Sequence, residues 1–514
     1  MDVRASSVRR ARRWVQLAAF LLFLGLASRP AASRLSGLFF WMDPLAGISG
    51  MVAARQVTLT LLIGALIALA LALVAGRAWC GWLCPLGTVL DWVPGRKPSL
   101  PQQARRQEKD LGGNWRRVKY FLLFLILLMA LFGNLSLIYL DPITLAARTT
   151  SVVVWPALNA IVWQLEQAAY AVPFLRGAVD AFEVTLRGTV LPVSQPVYAA
   201  GLVAALLFAG VLALNAVRPR FWCRYLCPLG ALLGLVSKVA WLRRTVDAGC
   251  ISCGQCIRAC PMGTIDAEDG YRSNPSECTL CLDCASACPR DGQRFAGHAK
   301  PARWQAQDPT RRQFLAATGA AVAGLGLASI DPATVHTAPR LIRPPGAYDP
   351  AFASQCIRCG LCISACPTGG LQSGLGLVGW SRAWTPMLVP RLGHCDFGCN
   401  ACGQVCPTGA IPPLALPEKR AAVMGHAYID HDRCIPWVDG RTCLVCEEMC
   451  PLPEKAIQLE EVTWVAPDGQ EMSVRRPIVL RERCVGCGIC ENRCPLAGDA
   501  AIRVYTPTDL TAFG

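Results

Sequence analysis

Six cysteine runs of nearly one spacing constrain this chain more than any other feature. Four read C-x2-C-x2-C-x3-C-P: Cys250, Cys253, Cys256, Cys260; Cys278, Cys281, Cys284, Cys288; Cys356, Cys359, Cys362, Cys366; and Cys484, Cys487, Cys490, Cys494. Two are stretched, Cys395, Cys399, Cys402, Cys406 and Cys434, Cys443, Cys446, Cys450. Every fourth cysteine is followed by proline, namely Pro261, Pro289, Pro367, Pro407, Pro451 and Pro495, which suits an abrupt change of direction. Three thiolates on a tight loop reach three irons of one cubane while backbone N–H groups face its sulfides, and the fourth thiolate serves a partner cluster. Six [4Fe-4S] clusters follow. Zinc ribbons use two pairs split by a longer insert, and disulfide scaffolds do not repeat one spacing in this way. No C-x-x-C-H occurs, so c-type haem attachment is not indicated.

The remaining composition points to a membrane. Of 514 residues 53% are hydrophobic and mean hydropathy is +0.36, too apolar for an ordinary soluble carrier. Four segments approach the ~20 residues needed to span a hydrocarbon core: 14–33, 57–76, 118–140 and 197–217. The first also fits a cleaved signal peptide ending near Ala31 and Ala32. Basic residues before the first span and between the second and third place both on the inside. Residues 143–195 then lie outside, with an interfacial helix around Trp155–Tyr170. The net charge of +15 is explained by this topology, and no nucleic-acid partner is expected.

The membrane region is a repeat. A helix, Asp43-Pro44-Leu45, a helix and Cys80-Gly-Trp-Leu-Cys84-Pro85 are echoed by a helix, Asp141-Pro142-Ile143, a helix and Cys223-Arg-Tyr-Leu-Cys227-Pro228. Parallel two-helix units put both C-x3-C-P motifs on the inner face and both Asp-Pro turns on the outer face. Cys80, Cys84, Cys223 and Cys227 are compatible with one further iron-sulfur centre, a thiol redox pair, or simple packing. Asp43 and Asp141 read either as helix-ending turn residues or as catalytic proton acceptors in quinol oxidation.

These repeated motifs with an adjoining two-cluster ferredoxin, covering about residues 1–300, resemble the NapH/MauN-type membrane ferredoxins, and more distantly the NosR and CcoG groups. The remainder looks like a NapG/MauM-type polyferredoxin joined on. Between them Thr310-Arg311-Arg312-Gln313-Phe314-Leu315 and an Ala/Gly-rich run resemble a twin-arginine signal, the alternative being a soluble hinge. The expected fold is mixed: an α-helical membrane domain at 1–245, with four helices as two repeats, and a cytoplasmic two-cluster α+β ferredoxin-like domain at 246–300. A fifth, twin-arginine-type helix and linker follow at 301–350, then a periplasmic four-cluster module at 351–514. The resemblance implies a multi-pass protein of the bacterial inner membrane with a cytoplasmic N-terminus.

The two-cluster rule joins Cys250, Cys253 and Cys256 with Cys288, and Cys278, Cys281 and Cys284 with Cys260. Among the later runs, adjacent and nested pairings are both open. The function read here is electron transfer from membrane quinol through iron-sulfur clusters to a periplasmic partner such as a cytochrome c or reductase subunit, as a component of a quinol dehydrogenase. The alternatives are a redox assembly or regulatory factor, and a relay with no quinol site.

Overall fold

The computed structural model describes residues 5–27, 34–93, 112–187, 191–192, 195–290, 292–298, 341–348, 351–375, 382–465, 469 and 471–506, with scattered positions between 315 and 323. Two compact units emerge, one from within 1–26, 37–150 and 203–327, the other from within 27–36, 151–202 and 328–514.

In the first unit the expected apolar helices form at Ala5–Ala27, Leu59–Ala75, Gly112–Leu131 and Gly201–Val217. Leu59–Ala75 is apolar all round, and its small residues face inward. Gly64, Ala65, Ala68 and Ala72 are buried, whereas Leu59, Ile63, Leu66, Ile67 and Val74 are exposed. Small inward residues let backbones approach closely. A Cβ on Gly64 would lie 2.0 Å from the Trp41 carbonyl oxygen. Gly201–Val217 follows the same rule, with Ala204, Val211 and Asn215 inward and Leu202 and Leu206 outward.

Three expectations change. The third segment runs Gly112–Leu131 rather than 118–140, because Gly133 takes a left-handed conformation and Asn134 Oδ1 accepts the Ser136 N–H at 2.8 Å, starting the separate turn Ser136–Leu140. Leu35–Trp41 and Pro44–Ala54 form a pair bent by 92° at the Asp-Pro turn, so the chain folds back beside Leu59–Ala75. The segment read as interfacial belongs to a 29-residue helix, Pro142–Tyr170, passing through a π turn at Thr150–Val154. Among the described residues it is the one unbroken helix long and apolar enough to cross a membrane, and half of its apolar window is buried. The twin-arginine-type helix, its Arg311-Arg312 pair included, lies outside the described residues except for isolated positions.

The cysteine runs sit on short loops bracketed by two-stranded antiparallel sheets. Leu242–Val246 pairs with Gln293–Gly297 around the first two runs. In the second unit Leu371–Ser373 pairs with Pro386–Leu388 between the third and fourth runs, and His426–Ile429 pairs with Ile502–Tyr505 around the last two. A longer hairpin, Ile457–Val465 with Glu471–Val479, separates those last two. Each pairing brings distant cysteines together by closing the chain over them.

Replacing Gly64 by alanine should cost about 1–3 kcal/mol through overpacking. Gly210→Ala should be neutral or stabilising, because nothing lies within 4 Å of a Cβ there. Thermal melting of the two purified variants checks the contrast.

Candidate metal centres

In all four regular runs the residues flanking the second cysteine are left-handed: Ser252 and Gly254, Leu280 and Leu282, Arg358 and Gly360, Gly486 and Gly488. Leucine and arginine rarely adopt this conformation, and alternation of handedness turns successive N–H groups toward one point. That is the cradle an anionic cluster needs, and Leu280, Leu282 and Arg358 hold it against their own preference.

The thiols gather in fours. Cys260, Cys278, Cys281 and Cys284 line one cavity with Ile265 and Phe295. Cys434, Cys443, Cys446 and Cys494 line another with Ile429 and Pro477. Burial pushes the Cys278 thiol up to about 11 and those of Cys284 and Cys446 to about 12. A buried thiolate therefore needs cationic iron beside it, and these cages fit [4Fe-4S] clusters in donor type and number. Cys362 has Cys356, Cys359 and Cys406 for neighbours. Cys402 has Cys366, Cys395 and Cys399. Cys487 has Cys484 and Cys450, and Cys490 joins them. The later runs are thus paired with their neighbours in sequence, the third with the fourth and the fifth with the sixth.

The spatial order departs from the chain order. The Cys356 set adjoins the Cys395 set through Cys362 and Cys402. The Cys395 set meets the Cys484 set where the Cys395 N–H donates to the Cys487 carbonyl at 2.8 Å. The Cys484 set meets the Cys434 set through Cys490 and Cys446. In this unit the sets follow one another in space in the order Cys356, Cys395, Cys484, Cys434.

The two C-x3-C-P motifs converge. Cys80, Cys84, Cys223 and Cys227 are all buried and lie within electrostatic reach of one another. Cys84 and Cys227 cap the helices Pro85–Trp92 and Pro228–Ser237, and Cys227 Sγ accepts the Gly230 N–H at 3.1 Å. Two arginines missed by the motif reading lock the halves reciprocally. Arg77 Nη2 donates to the Cys223 carbonyl and Arg220 Nη1 to the Cys80 carbonyl, each at 3.3 Å. Both side chains are buried three residues before the first cysteine of their motif, so the full repeat is R-x-W-C-x3-C-P-L-G. Aligning the repeat beyond its cysteines would have found them.

The repeat breaks where it meets the first ferredoxin module. Gly81 lets the Thr279 carbonyl approach, where a Cβ would lie 2.3 Å away. Its counterpart Arg224 instead donates from Nε to the Pro261 carbonyl at 2.8 Å. Trp82 Nε1 reaches the Leu280 carbonyl at 3.1 Å, and Arg12 Nη1 the Cys281 carbonyl at 3.1 Å. The four-cysteine group therefore abuts the loop of the Cys278 set. Beneath that loop Glu277 accepts from Arg77 at 2.9 Å and from Lys119 at 2.5 and 2.6 Å, all three buried. Burial pushes the Glu277 carboxyl up, but Lys119 and Arg77 outweigh it and hold it below the ordinary range.

Asp43 and Asp141 each cap a separate helix start, Pro44–Ala54 and Pro142–Thr149, and also come together. Asp43 Oδ1 accepts from Leu45 N at 2.9 Å and Ala46 N at 3.2 Å, and Asp141 Oδ2 accepts from Ile143 N and Thr144 N at 2.9 Å each. The remaining oxygens, Asp43 Oδ2 and Asp141 Oδ1, are buried without a donor from another group, and the two carboxyls lie within hydrogen-bonding reach of each other. Asp141 also lies within electrostatic reach of Cys84.

Comparison with known proteins matches these regions. A 4Fe-4S binding domain pattern fits residues 57–101 and 200–247, which hold the C-x3-C-P motifs, and another fits 481–505. Two 4Fe-4S dicluster domain patterns fit 249–291 and 355–411. The chain is 38% identical to the methylamine utilization ferredoxin-type protein MauM of Methylorubrum extorquens, over 40% of this chain and 94% of that protein. It is 34% identical to the ferredoxin-type protein NapG of Haemophilus influenzae, over 40% of this chain and 74% of that protein. It is 28% identical to the putative electron transport protein YccM of Escherichia coli, over 51% of this chain and 64% of that protein. No solved structure matches.

Adjacent pairing makes Cys450 and Cys487 ligands of one cluster, so Cys450→Ser, Cys487→Ser and their double variant should each lose about four irons per chain. Cys450→Ser with Cys434→Ser should lose about twice that, measured by iron analysis of anaerobic protein. Glu277→Gln leaves Arg77 and Lys119 buried without a carboxylate and should cost about 3–5 kcal/mol. Because the Glu277 carboxyl is held low, its contribution is complete above the ordinary carboxylate range and fades as pH falls through its own lower value. The variant's melting temperature should lack that component of acid dependence.

Proposed function

The chain belongs to the MauM/NapG family of ferredoxin-type proteins, and from that premise we propose that it oxidises a membrane quinol and passes the electrons through six [4Fe-4S] clusters, and a seventh centre held by Cys80, Cys84, Cys223 and Cys227, to a periplasmic redox partner. Iron-sulfur electron transfer is the family's chemistry. When bound, the clusters supply one-electron acceptance and release.

The observation that carries the quinol reading is the buried Asp43–Asp141 pair within electrostatic reach of Cys84. Quinol gives up two protons with its two electrons, so a proton acceptor must stand beside an electron acceptor. The backbone donors at Leu45, Ala46, Ile143 and Thr144 fix one oxygen of each carboxyl, leaving the facing oxygens to hold and exchange the proton. Arg77 and Arg220 place positive charge near Cys80, Cys223 and Cys227, which favours an anionic centre there. Gly81 then brings the Cys278 loop into contact, giving the electron its next station.

Membrane placement is supported by the outward leucines of Leu59–Ala75 and Gly201–Val217, an apolar surface that water would penalise. The topology has support from what each module touches. The Cys250–Cys288 module meets Arg9, Arg12, Arg77 and Lys119 near helix ends read as inside. The later module meets the outer start of the fourth segment, 197–217: Gln372 donates to the Val197 carbonyl at 2.9 Å and accepts from Ala199 N at 3.2 Å, and Tyr198 reaches the Ile363 carbonyl at 3.4 Å. Together with the Arg311-Arg312 signal, these contacts favour a cytoplasmic first module and a periplasmic second one.

Anaerobic mixing of the oxidised full chain with a short-chain quinol should produce cluster EPR signals. In Asp43→Asn/Asp141→Asn the rate should fall about 10²- to 10⁴-fold at unchanged iron content. Full iron content with reduction by dithionite but never by quinol would reject quinol as donor and leave a relay or assembly factor fed by another protein.

A further inference from the structure

Lys419 has no part in the mechanism above, yet its side chain is 4% exposed. It sits on the short helix Leu416–Ala421, whose start is fixed by Glu418 Oε2 accepting the Ala415 N–H at 2.9 Å. Its Nζ donates to the carbonyl of Asp396, the residue after Cys395, and lies 5.8 Å from the centre of the Phe397 ring, with its charge acting on the Cys395 sulfur. These partners are a carbonyl and a ring, neither of them a carboxylate. Its charge also acts on Cys399, a ligand of the same cluster, and on Cys487, a ligand of the next. The contact between these clusters is the Cys395 N–H to Cys487 carbonyl bond, so Lys419 stands at the joint between the two halves of the four-cluster module.

Reduction adds one negative charge to a cubane, and a buried cation beside its ligand loop stabilises that charge more than one in water would. We propose that Lys419 is a potential-setting residue. It raises the reduction potential of the cluster held by Cys366, Cys395, Cys399 and Cys402 and, more weakly, of that held by Cys450, Cys484, Cys487 and Cys490, so that an electron crossing the module rests at its middle joint. The inference rests on the six-cluster reading and adds a place within it where electrons dwell.

The test is an EPR-monitored redox titration of the full chain, purified anaerobically, as wild type, Lys419→Met, Lys419→Gln and Lys419→Arg, with iron counted for each. Low iron in the wild type would reject the six-cluster reading itself. With full iron in the wild type, the expected result is one cluster shifted clearly to lower potential in the Met and Gln variants, a second shifted less, the others unmoved, and Arg restoring the wild-type titration. Unshifted potentials in an iron-replete Met or Gln variant would overturn the proposal. So would loss of four irons from both uncharged variants, which would make Lys419 a structural support of its loop.

Discussion

Buried sulfur that must carry negative charge is the constraint on which the rest of this molecule depends. A thiolate in an apolar loop is costly unless cations or N–H dipoles face it, and each cysteine group is built to provide them. The regular loops do so with left-handed residues on both sides of the second cysteine, at Leu280, Leu282 and Arg358 as well as at glycines. The C-x3-C-P motifs do so with helix starts and with Arg77 and Arg220. The joint of the later module does so with Lys419.

The same charges fasten the first unit together. Arg77 bridges the Cys223 backbone and Glu277, while Arg220 is held by both oxygens of Asp91 at 2.7 Å and reaches Cys80. Such buried networks add little net stability, because desolvation offsets most of the attraction. What they specify is position: a shift of one helix leaves a charge unpaired. Fixed geometry is what electron transfer between neighbouring centres requires. The departure of Gly81 from Arg224 shows the repeat giving up symmetry at the one place where a second cluster loop must come close.

The cysteine spacing made the cluster-type loops legible, and with them the meeting of Cys260 with Cys278, Cys281 and Cys284, because a cubane dictates local spacing. The pairing of the later runs was not, since it depends on strands such as His426–Ile429 and Ile502–Tyr505 closing over a long insertion. The four apolar helices were visible in hydropathy, but the fold-back at Asp43 was not, because a Pro after an acid reads equally as a turn between spans. The meeting of Asp43 with Asp141 needs two chain segments almost a hundred residues apart. Arg77 and Arg220 were present in the repeat and were obscured by treating basic residues only as topology signals. Lys419 leaves no mark in sequence, for a lysine on a short exposed-looking helix reads as solvated surface until the fold buries it.

Iron and acid-labile sulfide per chain on anaerobically purified protein tests the central claim most directly, when wild type is compared with a variant in which Cys80, Cys84, Cys223 and Cys227 are all alanine. Six cubanes and a seventh centre predict about 28 irons falling to about 24. Equal iron in the two proteins would contradict a metal centre at the C-x3-C-P motifs, and zinc in place of iron would contradict the account as a whole.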